Sequence, residues 1–248
     1  MFHPELFRGH SEGRKQAPKR RPGSVVLPER PQEGQRMTPD FFKKIPKSQS
    51  DLLLNHWGYD VMEEYTEMIS GAGFPDGCQI LDVATGTGRA VSILVRLGYR
   101  VVTGDISFDG KHDADKRVTP MYYHRVQYVK LNLEQAPFGD DSVRNIVCMN
   151  TLHELENPNA CLDEIFRIHS PNGTLLIADF NAEGMDIMDK LHIIKFGERH
   201  PKGKSSLREL ECWLKSRYTN IREFHTRMNR GFIVTGKKDP SAEPLQDG

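Results

Sequence analysis

Several features that would identify a particular class of protein are missing from this 248-residue chain. Lysine plus arginine number 34 and aspartate plus glutamate also number 34, so the net charge favours neither nucleic acid nor a membrane surface as the main partner. No apolar run approaches the ~20 residues that a transmembrane helix needs. The four cysteines, Cys78, Cys148, Cys161 and Cys212, are scattered without a CxxC pair, which argues against a structural zinc site. Neither a membrane nor a metal is therefore expected.

The start of the chain, MFHPELFRGHSEGRK, lacks the apolar core of a secretory signal. Scattered cysteines are also typical of a reducing compartment, so we expect a cytoplasmic protein. With 37% hydrophobic and 27% charged residues, the composition is that of an ordinary globular protein, and the length suits one sizeable domain. No oligomeric state is predicted.

Residues 1–46 differ from the rest of the chain. They contain seven prolines and a basic cluster, RKQAPKRR, at residues 14–21, with few apolar residues spaced to form a buried face. Such a segment cannot bury enough surface to offset the entropy of ordering it, so we predict a tail that is disordered or draped over the domain. A solvated tail is the simpler interpretation, and an RNA-binding or targeting arm is the alternative. The folded domain is predicted to cover residues 47–238, followed by a short tail at 239–248.

From residue 50 onward, helical and strand-like segments alternate. Helical periodicity begins near residue 50, with Ser50 or Asp51 as the candidate N-cap. The closing segment, NIREFHTRMNRGFIVTGKK, is typical of an antiparallel hairpin. This alternation predicts an open α/β sheet, mostly parallel, with helices on both faces. The uniformly apolar strands are predicted at 78–84, 100–107, 126–132, 143–150 and 173–180.

The segment at residues 181–204 follows the end of a predicted strand, where open α/β sheets bind their ligands. We interpret it as a lid over a substrate pocket, although packing on the sheet alone would give the same pattern. Its apolar residues recur at partly helical spacing: Met185, Ile187, Met188, Leu191, Ile193 and Ile194.

The sequence ILDVATGTGRA, at residues 80–90, passes directly from an apolar strand into a turn with almost no side chains. Gly86 and Gly88 allow the backbone to turn tightly and to approach a ligand closely. The free N–H groups at the start of the following helix suit an anionic group. Such turns are common in α/β proteins, so the turn alone is weak support for a nucleotide-like ligand.

Three further strand ends carry side chains that suit a nucleoside. Asp105 ends the second strand, 23 residues after Asp82, and a carboxylate there can accept hydrogen bonds from two ribose hydroxyls. Asn132 ends the third strand, and its amide can both donate to and accept from an adenine edge. The fourth strand ends CMNTLHEL, which brings four polar residues to the mouth of the same crevice: Asn150, Thr151, His153 and Glu154. Each residue also has an ordinary structural explanation, but four consecutive strand ends of this kind favour a bound nucleoside.

S-adenosylmethionine fits these residues better than a dinucleotide does. Val91 occupies the position at which the dinucleotide fingerprint requires a small residue. Asp82 would repel a pyrophosphate, whereas it tolerates a ligand that carries an ammonium group. S-adenosylmethionine combines amino, carboxylate, ribose and adenine groups and has no phosphate.

The stretches ILDVATGTGRA, VVTGDIS, LNLEQAPFGDDSVRNIVCMNTLHELENP and EIFRIHSPNGTLLIADF resemble the successive motifs of class I S-adenosylmethionine-dependent methyltransferases. The likeness is greatest to the group that includes the ubiquinone and menaquinone biosynthesis methyltransferases, and it runs from about residue 55 to residue 237. It implies a seven-stranded Rossmann-like sheet with an antiparallel last strand. Ala84 stands where the first glycine is usual and Asn132 where an aspartate is usual. The resemblance implies these cofactor-binding residues: Asp82, Ala84, Gly86, Gly88, Asp105, Ile106, Asn132, Leu133 and Asn150.

The resemblance also implies methyl transfer by in-line displacement, for which a weakly acidic acceptor needs a base. His153 is our first candidate for that base, because imidazole titrates near neutral pH, although a histidine bonded to backbone would look the same. His192 and His200 are second-rank candidates. We expect a small-molecule acceptor. The alternatives are a non-catalytic scaffold that binds the cofactor or a partner and, ranked below it, an NAD-dependent oxidoreductase.

Overall fold

The computed structural model describes Phe42 and residues 44–201 and 207–239. Most of the two predicted tails, and the last three residues of the predicted lid, lie outside the described residues. In the part that is described, no helix combines the length and the apolarity that crossing a membrane requires.

The helices and strands follow one another in the predicted alternation. The helices are α1 (Gln49–His56), α2 (Val61–Gly71), α3 (Arg89–Arg96), α4 (Lys111–Val118), α5 (Pro158–Ile168), α6 (Ala182–Phe196) and α7 (Leu207–Arg217). The strands are β1 (Gln79–Val83), β2 (Arg100–Asp105), β3 (Val126–Lys130), β4 (Val143–Met149), β5 (His169–Phe180), β6 (Tyr218–His225) and β7 (Asn229–Lys237). Short 3-10 helices lie at Pro120–Arg125 and Leu152–Glu154.

Seven strands form one sheet in the order β3-β2-β1-β4-β5-β7-β6. Neighbouring strands are parallel except where β7 pairs with β5 and with β6. The structure therefore confirms the predicted seven-stranded, mostly parallel, Rossmann-like sheet with an antiparallel last strand. The strand order reverses between β1 and β4, and parallel α/β sheets leave a ligand-binding crevice at the carboxyl ends of the strands there.

Both faces of the sheet are buried, which explains why the strands are uniformly apolar. Along β1, Ile80 packs in the cluster that contains α2, α3 and α6, whereas Leu81 and Val83 pack in the cluster that contains α5 and α7. Successive side chains of a strand point to opposite faces. Asp82 therefore shares the face of Ile80, and its carboxyl group lies inside the protein.

The helix predicted to start near residue 50 is in fact two helices. Ser48 is the N-cap of α1, because its hydroxyl accepts from the N–H of Asp51 while the Asp51 carboxylate accepts from the N–H of Ser48. The cap is thus neither Ser50 nor Asp51. Gly58, with φ +85°, ends the first helical segment, and Asp60 caps α2. The apolar spacing continues across this break, so periodicity did not reveal it.

A buried network of charges joins α1 to the turn after β1. Asp51 and Arg117 are only 1% and 2% exposed. The Asp51 carboxylate lies 2.5 Å from Nη2 of Arg117 and 2.9 Å from Nη2 of Arg89. Arg117 also donates to the carbonyls of Thr87, at 2.9 Å, and Pro46, at 3.2 Å. Burial alone would raise the pKa of Asp51, but the two guanidinium groups outweigh it and hold the pKa well below its usual range.

A second buried carboxylate, that of Glu64 on α2, joins the helix layer to the end of the sheet. It accepts hydrogen bonds from the N–H of Met228, at 3.1 Å, and from Nδ2 of Asn229, at 2.6 Å. Thr226 donates to the same carboxylate through its hydroxyl. The α2 helix is thus connected directly to the turn that leads into β7.

The turn between β1 and α3, residues 84–88, contains a left-handed residue that is not glycine. Ala84 has φ +62°, beside Gly86 at +49° and Gly88 at +81°. A Cβ on Gly88 would lie 2.5 Å from Cα of Ala114, so α4 packs directly on the turn. The left-handed conformation of a residue with a Cβ lowers the stability of the fold by about 1–2 kcal/mol. Ala84 keeps this conformation because the surrounding structure fixes the turn.

Removing the buried carboxylate of the network should strongly destabilise the domain. Asp51→Ala leaves the Arg117 guanidinium buried without its anion, and the loss of one partner of such a pair lowers the free energy of unfolding by about 3–5 kcal/mol. Asp113→Ala is the control, since the Asp113–Lys116 pair is exposed and 3.5 Å apart. An exposed pair contributes at most about 1 kcal/mol. Urea denaturation followed by circular dichroism gives both values, and equal losses would contradict the role of the network.

Candidate active site

The carboxyl ends of β1 and β2 meet at the glycine-containing turn, residues 84–88. The N–H of Gly86 donates to Oδ2 of Asp105 at 2.8 Å, and the N–H of Ser107 lies 3.3 Å from Oδ1. Gly86 is exposed and Asp105 is half-buried. The acid at the end of β2 and the turn after β1 therefore form one surface, and this proximity is what a ribose-binding acid requires.

Asp82 lies behind this surface in a different environment. It is 2% exposed, and Oγ1 of Thr103 donates to its carboxylate at 2.7 Å. Burial raises the pKa of Asp82 to about 7; the Thr103 hydrogen bond opposes the rise, and the Asp105 carboxylate adds to it. Asp82 therefore titrates near neutral pH, and a cationic group placed beside it would favour the ionised form.

The candidates for the adenine side lie at the adjacent ends of β2 and β3. These ends are held together because the N–H of Leu131 donates to the carbonyl of Asp105 at 2.8 Å. Ile106 is 65% exposed, whereas Leu133 is buried in the core. Asn132 is exposed, and its Oδ1 accepts from the backbone N–H two residues later at 3.0 Å. Asn132 thus stabilises its own turn. This is an ordinary structural role, and the sequence was as compatible with it as with a contact to adenine.

Asn150 follows β4 with φ +51°, and its N–H donates to the carbonyl of Ala178 on β5 at 2.9 Å. Both polar atoms of its side chain are buried, and the side chain is hydrogen-bonded to the hydroxyl of Tyr65 on α2. An amide can make several hydrogen bonds, and one phenol hydroxyl uses only part of that capacity. The Asn150 side chain at the carboxyl end of β4 can therefore also bond a ligand.

His153 is buried just beyond β4, against the end of β5. Asp179 accepts from the N–H of His153 at 2.8 Å, and its Oδ1 lies 2.5 Å from Nδ1 of the ring. Burial alone would lower the pKa of His153, but the carboxylates of Asp179 and Glu154 outweigh it and raise the pKa to about 9. The protonated form is favoured at neutral pH. Sequence reasoning missed Asp179, although it lies at a strand end as Asp82 and Asp105 do.

Tyr65 of α2 is a second residue that sequence reasoning missed as part of the site. It is 5% exposed, and burial raises the pKa of its hydroxyl. Among nearby charges, Arg89 lowers that pKa while Asp82 and Asp179 raise it, and a hydrogen bond with the Asn150 side chain lowers it further. The only sequence signal was its place on the apolar face of a helix, which does not distinguish it from core residues.

The second-rank histidines lie beside His153. The ring centre of His200 is 4.9 Å from that of His153 and 4.1 Å from that of His192. The N–H of His200 donates to Oδ1 of Asp189 on α6 at 3.1 Å. The structure thus brings together three histidines that the sequence presents as unrelated candidates.

The predicted lid contains one long helix, α6. Met188 and Leu191 are buried in the core, whereas Ile193, Ile194 and Phe196 are 48%, 58% and 60% exposed. Packing on the sheet therefore accounts for part of the apolar pattern, and the lid role stays a prediction.

A family profile described as "Methyltransferase domain" matches residues 81–177, from β1 into β5. A demethylmenaquinone methyltransferase of Clavibacter sepedonicus is 32% identical over 106 residues, which cover 43% of this chain and 42% of that protein. A ubiquinone/menaquinone biosynthesis C-methyltransferase of Marinomonas sp. is 26% identical over 182 residues, which cover 65% of this chain and 72% of that protein.

Among solved structures, phosphoethanolamine N-methyltransferase 2 of Haemonchus contortus superposes with a TM-score of 0.54 and 13% identity. The superposition covers 71% of this chain and 53% of that one, whose structure holds phosphomonomethylethanolamine and S-adenosylhomocysteine. A likeness at this level of identity shows a shared fold. Strand order, sequence motifs and relatives agree: residues 81–177 match a methyltransferase domain, and the chain is similar to class I S-adenosylmethionine-dependent methyltransferases.

Proposed function

We propose that the protein transfers a methyl group from S-adenosylmethionine to a small-molecule acceptor by in-line displacement. The observation that carries this proposal is the contact between the exposed turn and Asp105 at the carboxyl ends of β1 and β2, beside the point where the strand order reverses. The named activities of the Clavibacter and Marinomonas relatives support the reaction class. The S-adenosylhomocysteine in the Haemonchus structure supports the cofactor.

The residues present fit this cofactor. Asp105 would accept from the ribose hydroxyls, since a carboxylate has more acceptor sites than the two backbone N–H groups now use. The Asp82 carboxylate would attract the ammonium group of the cofactor, and the Asn150 side chain would hydrogen-bond with its methionyl part. On the adenine side, Ile106 would lie against the ring, Asn132 would contact its edge and Leu133 would support the turn.

S-adenosylmethionine, when bound, supplies a methyl group that is already electrophilic. The protein then contributes alignment of the acceptor with the sulfonium and exclusion of water. If the acceptor must lose a proton, Nε2 of His153 would accept that proton, because Nδ1 is already hydrogen-bonded to Asp179. Since the pKa of His153 is raised to about 9, the basic form increases as the pH rises.

The function is tested with methyl-labelled S-adenosylmethionine and fractionated cell extract. We expect label in the small-molecule fraction. Label in RNA would contradict the proposed acceptor class. Binding of S-adenosylhomocysteine without label in any fraction would favour a non-catalytic scaffold, and tight binding of NAD instead would favour an oxidoreductase.

Asp105→Asn should weaken the binding of S-adenosylhomocysteine by about 1–3 kcal/mol, because the ribose hydroxyls lose a charged acceptor. Isothermal titration would then give a Kd that is about 5- to 150-fold higher. Asp109→Asn is the matched control, since Asp109 is an exposed acid on the same loop that accepts from Ser107 at 2.9 Å. An unchanged Kd in Asp105→Asn would show that this acid does not contact the ligand.

The affinity for S-adenosylhomocysteine should fall as the pH is lowered from 8 to 6. With its pKa raised to about 7, Asp82 is mostly ionised at pH 8 and mostly protonated at pH 6, and only the ionised form attracts an ammonium group. Linkage then predicts a Kd about tenfold higher at pH 6. Asp82→Asn should bind more weakly at pH 8 and show little dependence on pH. A wild-type profile as flat as that of the variant would contradict the assignment.

A further inference from the structure

Three potential metal ligands meet beyond the carboxyl ends of β4 and β5. His153, Glu154 and His200, here called the His–Glu–His cluster, each offer one ligand atom, and these atoms all lie within 4.8 Å of one another. Oε1 of Glu154 is 3.7 Å from Nε2 of His153 and 3.6 Å from Nε2 of His200. Nitrogen and oxygen ligands of a tetrahedral zinc ion lie about 3.3–3.6 Å apart, so small side-chain rotations would close the site.

The remaining nitrogen of each histidine is directed at an oxygen atom. Nδ1 of His200 lies 3.0 Å from the carbonyl of Pro201, and Nδ1 of His153 lies 2.5 Å from Oδ1 of Asp179. A carbonyl only accepts, so Nδ1 of His200 is the donor of this hydrogen bond, and in the neutral ring Nε2 is the nitrogen with the lone pair. Metal-binding histidines are oriented in this way, with the other ring nitrogen donating to a carboxylate or a carbonyl.

Two of the three residues of the cluster are buried, and the third is open to solvent. His153 is 7% exposed and His200 is 5% exposed. Nε2 of His153 is buried, and the group that it faces is Oε1 of Glu154, 3.7 Å away. That distance is longer than a normal hydrogen bond, so the two ligand atoms leave room for an ion between them. The Glu154 side chain is 55% exposed, which gives the cluster a side that is open to solvent.

We propose that His153, Glu154 and His200 bind a divalent transition-metal ion, with Zn²⁺ as the expected occupant. Two imidazoles and one carboxylate are ligands that zinc accepts in proteins, whereas magnesium and calcium prefer an all-oxygen set. The carboxylates of Glu154 and Asp179 supply the negative charge that a buried divalent cation needs. The sequence predicted no metal because the cysteines are scattered and His200 lies far along the chain from His153 and Glu154.

Three protein ligands leave one coordination position of a tetrahedral ion open, as in catalytic zinc sites. An oxygen or sulfur atom of the methyl acceptor could take that position, a step that rests on the proposed function. A metal on Nε2 of His153 would occupy the lone pair that a general base needs. Metal binding and the base role of His153 are therefore mutually exclusive.

The site is tested on the full-length protein after removal of metals with a chelator, without cofactor or acceptor. Titration with Co²⁺, followed by visible absorption, should show one equivalent with the intense bands of four-coordinate cobalt. Zn²⁺ should displace it, and isothermal titration then gives the zinc affinity. Glu154→Gln and His200→Ala should each raise the Kd at least about tenfold, since even residues behind the ligands matter by 10- to 100-fold.

Glu154→Gln keeps the size of an exposed side chain, so folding is not at risk in that variant. His225→Ala is the control for adventitious binding, because His225 is 62% exposed on β6 and paired with Glu223. Equal zinc affinity in the wild type, Glu154→Gln and His200→Ala would overturn the proposal, as would an equal loss in His225→Ala. Binding of S-adenosylhomocysteine by the same preparations is measured separately, so failure of the metal site and failure of the methyltransferase proposal are distinguishable.

Discussion

The buried pair of Asp51 and Arg117 determines how the candidate site is built. One guanidinium bonds the carboxylate of α1 and the Thr87 carbonyl in the turn after β1, so the first helix, the turn and α4 share a charged centre. Burying such a pair gives little net stability over apolar packing, yet neither partner can be removed without leaving a buried charge. The turn is therefore oriented before any ligand arrives, which lowers the entropic cost of binding.

The strand ends around this turn place similar groups in different environments. Asp82 lies inside the protein, where it accepts a hydrogen bond from the Thr103 hydroxyl and has a pKa raised to about 7. Asp105 is half-buried and accepts a hydrogen bond from the N–H of Gly86. Asp82 is therefore suited to interact with a cation, and Asp105 is suited to accept hydrogen bonds from hydroxyl groups. At the end of β4, the Asn150 side chain is hydrogen-bonded to Tyr65, and Nε2 of His153 faces the Glu154 carboxylate at 3.7 Å. These buried polar groups line the part of the crevice that lies beyond β4.

The fold could be predicted because strands buried on both faces have uniformly apolar sequences, and Asp82 and Asp105 could be found because they end such strands. Three features could not. The break at Gly58 was hidden because apolar spacing continues across it. The Asp51–Arg117 pair joins residues 66 positions apart, and no local pattern records that contact. The meeting of His153 with His200 depends on how the chain returns after α6, which is set by tertiary packing.

The place of β7 bears on how the chain folds as it is synthesised. This strand is the last of the described chain, yet it lies between β5 and β6 rather than at an edge. Until it emerges from the ribosome, the apolar β5 has an open edge, and the buried carboxylate of Glu64 lacks the Met228 and Asn229 groups that it bonds. A nascent chain that has completed the crevice therefore still exposes an unpaired strand edge, and exposed edges of this kind favour misassociation.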